Sequence, residues 1–262
     1  MNRVAIVTGA ARGIGAATVR GLAADGWSVV ALDRCADDPR LPYALATPED
    51  MAGLLSEIGA GDRVTSVVAD ATDGAAMAQA VALAETRYGG LDAMIAAAGV
   101  IAGGVPMWEL ALAQEQAVLE VDLHAVLTAA RVAVPALLRR PPPRQGRFIA
   151  VASAAATRGM AMIAAYGAAK AGVLGLVRGL AAELRGTGVT ANAVSPGSTR
   201  TQILEQSTRL YGLESAEVFA KQQPHERLLE PEEIAALIVW LASPAASAMT
   251  GAAVPVDGGL AL

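Results

Sequence analysis

Cysteine and histidine are almost missing from this chain of 262 residues, which has one of the first and two of the second. Cys35 alone rules out an internal disulfide and a thiolate metal cluster, and His124 and His225 are too few to build a histidine metal site. His124 is expected to pack in its helix and His225 to lie in a polar stretch, neither with a catalytic part. The unpaired cysteine makes the cytoplasm the default compartment. Excess positive charge is missing too: 20 Lys+Arg against 25 Asp+Glu leave −5, so neither nucleic acid nor an anionic membrane surface finds an electrostatic footprint. Charged residues make up 17% of the chain, against about 25% in ordinary domains. Long apolar runs are also lacking. The stretch 93–108 is charge-free but broken by Gly99, Gly103, Gly104 and Pro106, and it falls short of the roughly 20 residues a bilayer needs. The opening segment is interrupted by a glycine loop and Arg12, so it does not read as a signal peptide.

What is present is alternation. Short β-branched runs at 4–7, 28–32, 64–69, 93–97, 147–152, 190–194 and 253–256 alternate with alanine-rich helical patterns at 13–25, 73–88, 113–139, 164–185 and 231–242. That order argues for parallel strands joined by crossover helices, an α/β doubly wound sheet of about seven strands in a single domain over 1–262. Two segments exceed what a crossover needs. Residues 34–62 open on a polar, proline-bearing stretch and continue into a short helix, with Thr47 as N-cap and Pro48 in its first turn. Residues 199–230 form a second excursion. Both are expected to be lids or binding loops. Arg139-Arg140-Pro141-Pro142-Pro143 reads as a solvated loop.

Chemistry is concentrated in a few places. Gly9, Gly13 and Gly15, with Arg12 and Ile14 between them, follow the first strand and open the first helix. A tight turn, close backbone approach to a pyrophosphate and helix packing on the sheet each call for a missing β-carbon, which points to dinucleotide binding. Asp33 ends the second strand, where a carboxylate accepts from the hydroxyls of an adenosine ribose and repels a 2′-phosphate. NAD is therefore expected over NADP, with Arg12 and Arg34 as the cations that could reverse the preference. The plainer reading of Asp33 is a strand-end cap.

Tyr166 and Lys170 are four residues apart on an alanine-rich helix and so share a face. A neighbouring ammonium favours the phenolate and lowers the phenol pKa. Ser153 ends the fifth strand, at the edge where open α/β sheets bind ligands.

In these residues and their order the chain resembles the short-chain dehydrogenase/reductase family. The resemblance is carried by Thr8-Gly9-Ala10-Ala11-Arg12-Gly13-Ile14-Gly15, Asp70-Ala71, Ala98-Gly99, Ser153, Tyr166-Gly167-Ala168-Ala169-Lys170, Pro196-Gly197 and Val256-Asp257-Gly258-Gly259. It implies Tyr166 as general acid or base, Lys170 as the cation that lowers its pKa and holds the nicotinamide ribose, and Ser153 on the substrate oxygen. It further implies adenine contacts at Asp70 and Ala71, ribose contacts from Ala97, Ala98 and Gly99, and nicotinamide contacts from Pro196, Gly197, Thr199 and Thr201. A homotetramer is implied as well, with helices 113–139 and 164–185 between subunits.

Two positions depart from the family pattern. Ala96 and Ala97 stand where asparagines are usual, and Asp122 replaces the asparagine of the proton relay. Asp122 has two readings, a participant that keeps Lys170 charged and raises the Tyr166 pKa if it lies close, or a helix residue facing solvent. The insertion after Asp33 looks like that of a subgroup associated with the redox cofactor mycofactocin, which implies a lid over NAD that does not exchange, reoxidised by mycofactocin as external acceptor.

The substrate wall is expected from Ile101, Val105, Met107, Trp108, Met160, Met162, Ile203, Leu204 and Tyr211. It is apolar, without an arginine cluster, and suits a hydrophobic alcohol or ketone. The reading is an NAD-dependent alcohol dehydrogenase or carbonyl reductase. Its rivals are an NADP-dependent ketoreductase, separated by comparing the cofactors and by Asp33→Ala, and a non-catalytic dinucleotide sensor or scaffold.

Overall fold

The apolar runs become β1 (Val4–Thr8), β2 (Ser28–Asp33), β3 (Val64–Val68), β4 (Ala93–Ala96), β5 (Arg147–Val151), β6 (Thr190–Pro196) and β7 (Ala253–Val256). They belong to a computed structural model that describes residues 3–59 and 61–262. All seven strands pair in parallel, in the order β3-β2-β1-β4-β5-β6-β7. Parallel pairs require crossovers, and these carry α1 (Gly13–Ala24), α2 (Pro48–Ile58), α3 (Gly74–Tyr88), α4 (Leu112–Leu119), α5 (Ala125–Arg139), α6 (Ala164–Glu183), α7 (Gln202–Leu210) and α8 (Pro231–Ala242).

Both faces of the sheet are buried, with successive residues of a strand feeding opposite layers. Val4 and Ile6 of β1 join the layer packed by α3, α5 and α6, while Ala5 and Val7 join the one packed by α1 and α8. Phe148, Ile149 and Ile95 are completely buried, each contributing about 1.5–3 kcal/mol of transfer free energy. The order reverses between β1 and β4, and the strand ends there open the crevice in which doubly wound sheets hold ligands. Thr47 caps α2 in a reciprocal capping box with Asp50, as its sequence predicts. At the start of α8 the Glu233 carboxylate accepts from the Glu230 amide at 2.9 Å.

Three expectations need correcting. The predicted helix 113–139 is interrupted: α4 and α5 join through a π-turn at Glu120–His124, a rare form that often marks functional sites. The rod Leu112–Arg139 is also long and apolar enough, by length and composition alone, to cross a bilayer; here its buried face packs on α3, α6 and the sheet. Of the two arginines at the end of α5, Arg139 is exposed as expected but Arg140 is drawn in. Arg139 pairs with Glu85 at 2.8 Å, and Arg140 holds Asp92 at 2.5 Å and donates to the Gly89 carbonyl, tying the helix end to the start of β4. The loop prolines that follow are exposed, but His124 is too, not packed in its helix.

Candidate active site

A continuous cavity of about 630 Å³ runs along the carboxyl ends of the strands. Gly9, Arg12, Gly13, Ile14, Gly15, Asp33, Arg34, Asp70 and Ala71 line one end. Ala97, Ala98, Gly99, Ser153, Tyr166, Lys170, Pro196, Gly197, Thr199 and Thr201 line the rest, so the structure brings all of these sequence-predicted residues together. Asp122 lies just behind the wall.

The glycine loop is a backbone cradle. Gly9 has φ +65°, and a β-carbon there would lie 2.7 Å from the Ala98 α-carbon; one on Gly15 would lie 1.9 Å from the Gly9 carbonyl oxygen. No side chain fits at either place because main chain packs there, so the loop turns tightly against β4 and the start of α1 faces the cavity. The Thr8 hydroxyl accepts from the amides of Ala97 and Ala98 and so steadies the end of β4 where asparagines are lacking. Asp33 acts as a cap after all, accepting from the Ala11 and Cys35 amides at 3.0 Å, yet it still faces the cavity. The two cations that could favour a phosphate are engaged elsewhere. Arg12 donates to the Ala44 carbonyl, while Arg34 bridges Asp38 at 3.2 Å and Asp70 at 3.7 Å. Thr199 and Thr201 bond to backbone around the start of α7, which Thr201 caps. These features fit the adenosine, pyrophosphate and nicotinamide portions of a dinucleotide.

The other half is built from buried ionisable groups. The Lys170 ammonium donates to the Val151 carbonyl at 3.1 Å and to Asp122 Oδ1 at 3.0 Å, and it sits 5.7 Å from the Tyr166 ring centre. The solvent-facing reading of Asp122 is therefore wrong. Its side chain is 0% exposed, and the π-turn turns it inward onto Lys170 and the Val100 amide. Its Oδ2 is buried without a partner, an unsatisfied acceptor of the kind that costs free energy. Burial pushes the Asp122 carboxyl up to about 6, against the pull of Lys170. Burial pulls the Lys170 ammonium down, but Asp122 and then Tyr166 outweigh it and hold the ammonium above its usual range. For Tyr166, burial raises the phenol, Lys170 lowers it, Asp122 raises it again and Ser153 lowers it; the balance is upward. The sequence foresaw the lysine's pull but not that burial and the aspartate exceed it.

Of the predicted apolar wall, Ile101, Met160, Ile203, Leu204 and Tyr211 line the cavity. Val105, Met107, Trp108 and Met162 do not, and Trp108 is 84% exposed. Sequence reasoning missed Tyr43, Leu45 and Ala46 of the insertion, and Arg158, Phe219 and Gln222, all of which face the cavity. Tyr43 clasps the loop after β4: its hydroxyl donates to the Ile101 carbonyl at 3.0 Å and accepts from the Ile101 amide at 2.9 Å. Burial pushes this phenol far up, so it works as a neutral hydrogen-bonding group. An aromatic inside a proline-bearing polar stretch was the available signal for it.

Residues 9–261 match the family described as Enoyl-(Acyl carrier protein) reductase. Among curated proteins, the chain is 37% identical over 260 residues to cis-4-hydroxycyclohexanecarboxylate dehydrogenase of Sinomonas cyclohexanicum, covering 98% of this chain and 96% of that protein. It is 33% identical over 259 residues to 2-dehydro-3-deoxy-L-rhamnonate dehydrogenase (NAD(+)) of Sphingomonas sp. strain SKA58, covering 98% and 95%. Among solved structures, carveol dehydrogenase from Mycobacterium avium in complex with NAD superposes with a TM-score of 0.92 at 29% identity, covering 98% of this chain and 97% of that one.

Proposed function

The chain belongs to the short-chain dehydrogenase/reductase family, as an oxidoreductase of alcohol and carbonyl groups, and from that footing we propose that it moves a hydride between NAD and a hydrophobic alcohol or its carbonyl partner. The observation that carries the reading is one cavity with a β-carbon-free phosphate cradle at one end and Ser153, Tyr166 and Lys170 at the other.

When bound, the nicotinamide ring takes or supplies the hydride. Gly9, Gly13, Gly15 and Ile14 would hold the pyrophosphate by backbone, Asp33 the adenosine ribose, Asp70 and Ala71 the adenine. Ala97, Ala98 and Gly99 would take the ribose, with Pro196, Gly197, Thr199 and Thr201 at the nicotinamide. Asp33 favours NAD, because a phosphate at about 4 Å would be repelled by about 4 kcal/mol at surface-like dielectric, and Arg34 is already paired with Asp38 and Asp70. Ser153 donates its hydroxyl hydrogen to the substrate oxygen. Tyr166 Oη passes a proton to that oxygen in reduction and takes it in oxidation, general acid–base work worth about 10²–10⁴ in rate. Lys170 stabilises the phenolate and reaches the nicotinamide ribose; Asp122 keeps Lys170 charged.

Tyr43, Leu45 and Ala46 bring the insertion 34–62 onto the cavity, which supports its reading as a cover over retained NAD, with mycofactocin as the electron acceptor. The excursion 199–230 supplies Phe219 and Tyr211 to the substrate end and is read as the substrate lid. Leu112 and Leu127, exposed on the rod of α4 and α5, support a homotetramer in which α4, α5 and α6 face neighbouring subunits.

Tyr166→Phe is the decisive test. Turnover of a hydrophobic alcohol with an artificial electron acceptor is expected to fall by about 10²–10⁴ while dinucleotide binding persists. Full activity in that variant would refute the assignment.

A further inference from the structure

We infer that the substrate end of the cavity contains a carboxylate site with Arg158 as its cation, so that the preferred ligand is an apolar hydroxy acid or keto acid rather than a neutral alcohol. The inference rests on the oxidoreductase reading and narrows its substrate.

The charges along the cavity are unevenly matched. Arg12, Arg34, Asp33 and Asp70 stand together at the dinucleotide end, cation beside acid, and Lys170 is answered by Asp122. Arg158 is the remaining charged residue on the wall, and no acid lines the substrate end with it. It forms no ion pair among the described residues. It belongs to the segment between Ser153 and Tyr166, so the fold places it in the same wall as the groups that would hold the reacting oxygen.

Its head is fixed. Nη1 donates to the carbonyl of Leu260, itself part of the wall. That bond uses one of five guanidinium donors and leaves the others for a planar two-oxygen acceptor, the geometry of a carboxylate. The cavity wall that Arg158 shares also includes the apolar side chains of Met160, Ile163 and Phe219. A cation over apolar walls favours a ligand with an acid at one end and a hydrocarbon body between that acid and its hydroxyl. Arg158 is exposed, which places it at the rim, where salt screens its attraction.

The site can be read without turnover. Cyclohexanecarboxylate and its neutral isostere cyclohexanecarboxamide are titrated calorimetrically into the NAD-saturated protein, as wild type, Arg158→Gln and Arg158→Lys. The wild type is expected to prefer the acid by about tenfold, with the preference shrinking as salt rises. Arg158→Gln should erase that preference and leave carboxamide binding unchanged. Arg158→Lys, which keeps a charge without the fork, should retain part of it. Equal binding of acid and amide by the wild type, no binding of the acid, or an acid preference that survives Arg158→Gln overturns the site. Loss of the site with Tyr166-dependent turnover intact would leave the oxidoreductase reading standing.

Discussion

Around Gly9 and Gly15 the cavity is made of backbone, and around Tyr166 and Lys170 it is made of buried charge. The first half works by what is left out. A β-carbon at either glycine would strike main chain, so only glycine lets the loop pack this closely beneath the cavity. The second half works by opposition. An ammonium, a carboxylate and a phenol share a buried corner, and each shifts the ionisation of the others. Geometry decides the cradle, whereas the balance between desolvation and attraction decides the catalytic corner. An error in the first half should therefore cost binding and stability outright, and an error in the second should move a pH profile.

Gly15→Ala is the harshest way to break that contrast. Its β-carbon would meet the Gly9 carbonyl at 1.9 Å, and rigid main chain cannot yield as a flexible side chain would. The expected result is loss of dinucleotide binding together with a stability loss of about 1–3 kcal/mol, followed by fluorescence titration and thermal melting. Retained binding would show that the cradle is looser than its geometry.

Asp122→Asn sharpens the contrast from the other side, since it keeps the shape and removes one charge. The carboxylate raises the Tyr166 phenol; without it the phenolate forms at lower pH. The ascending limb of kcat/KM for alcohol oxidation should therefore move toward neutrality. A profile that stays in place would mean that Asp122 holds structure only.

The smallest effect is expected where the insertion meets the rest. Tyr43→Phe removes both bonds to Ile101 and leaves a part-buried amide and carbonyl to water, at a cost of about 0.5–1.5 kcal/mol. Wild-type protein should keep NAD through dialysis and release it only on denaturation, and the variant should lose it faster. Mass analysis of what each protein releases checks this. A wild type that emerges empty and turns over with added NAD would remove the retained-cofactor reading.

Much of this was legible before any coordinates. Alternation of strand and helix patterns determined the sheet, and strand ends were placed within a residue or two, because the crossover rule leaves few ways to arrange parallel strands. The glycine loop, Asp33, Ser153 and the Tyr166–Lys170 spacing were visible because each depends on neighbours close in sequence or on a position at a strand end. Asp122 was not resolvable in this way. Whether a carboxylate at that position faces water or an ammonium 48 residues on depends on a π-turn that rotates it inward, and no helical periodicity encodes that. Tyr43 and Arg158 escaped for the same reason, since their partners, Ile101 and Leu260, are far along the chain. Local chemistry determined which groups this protein owns. Only the tertiary structure decided which charges face each other, because electrostatic energy depends on distance and burial, and these exist only once the chain has closed on itself.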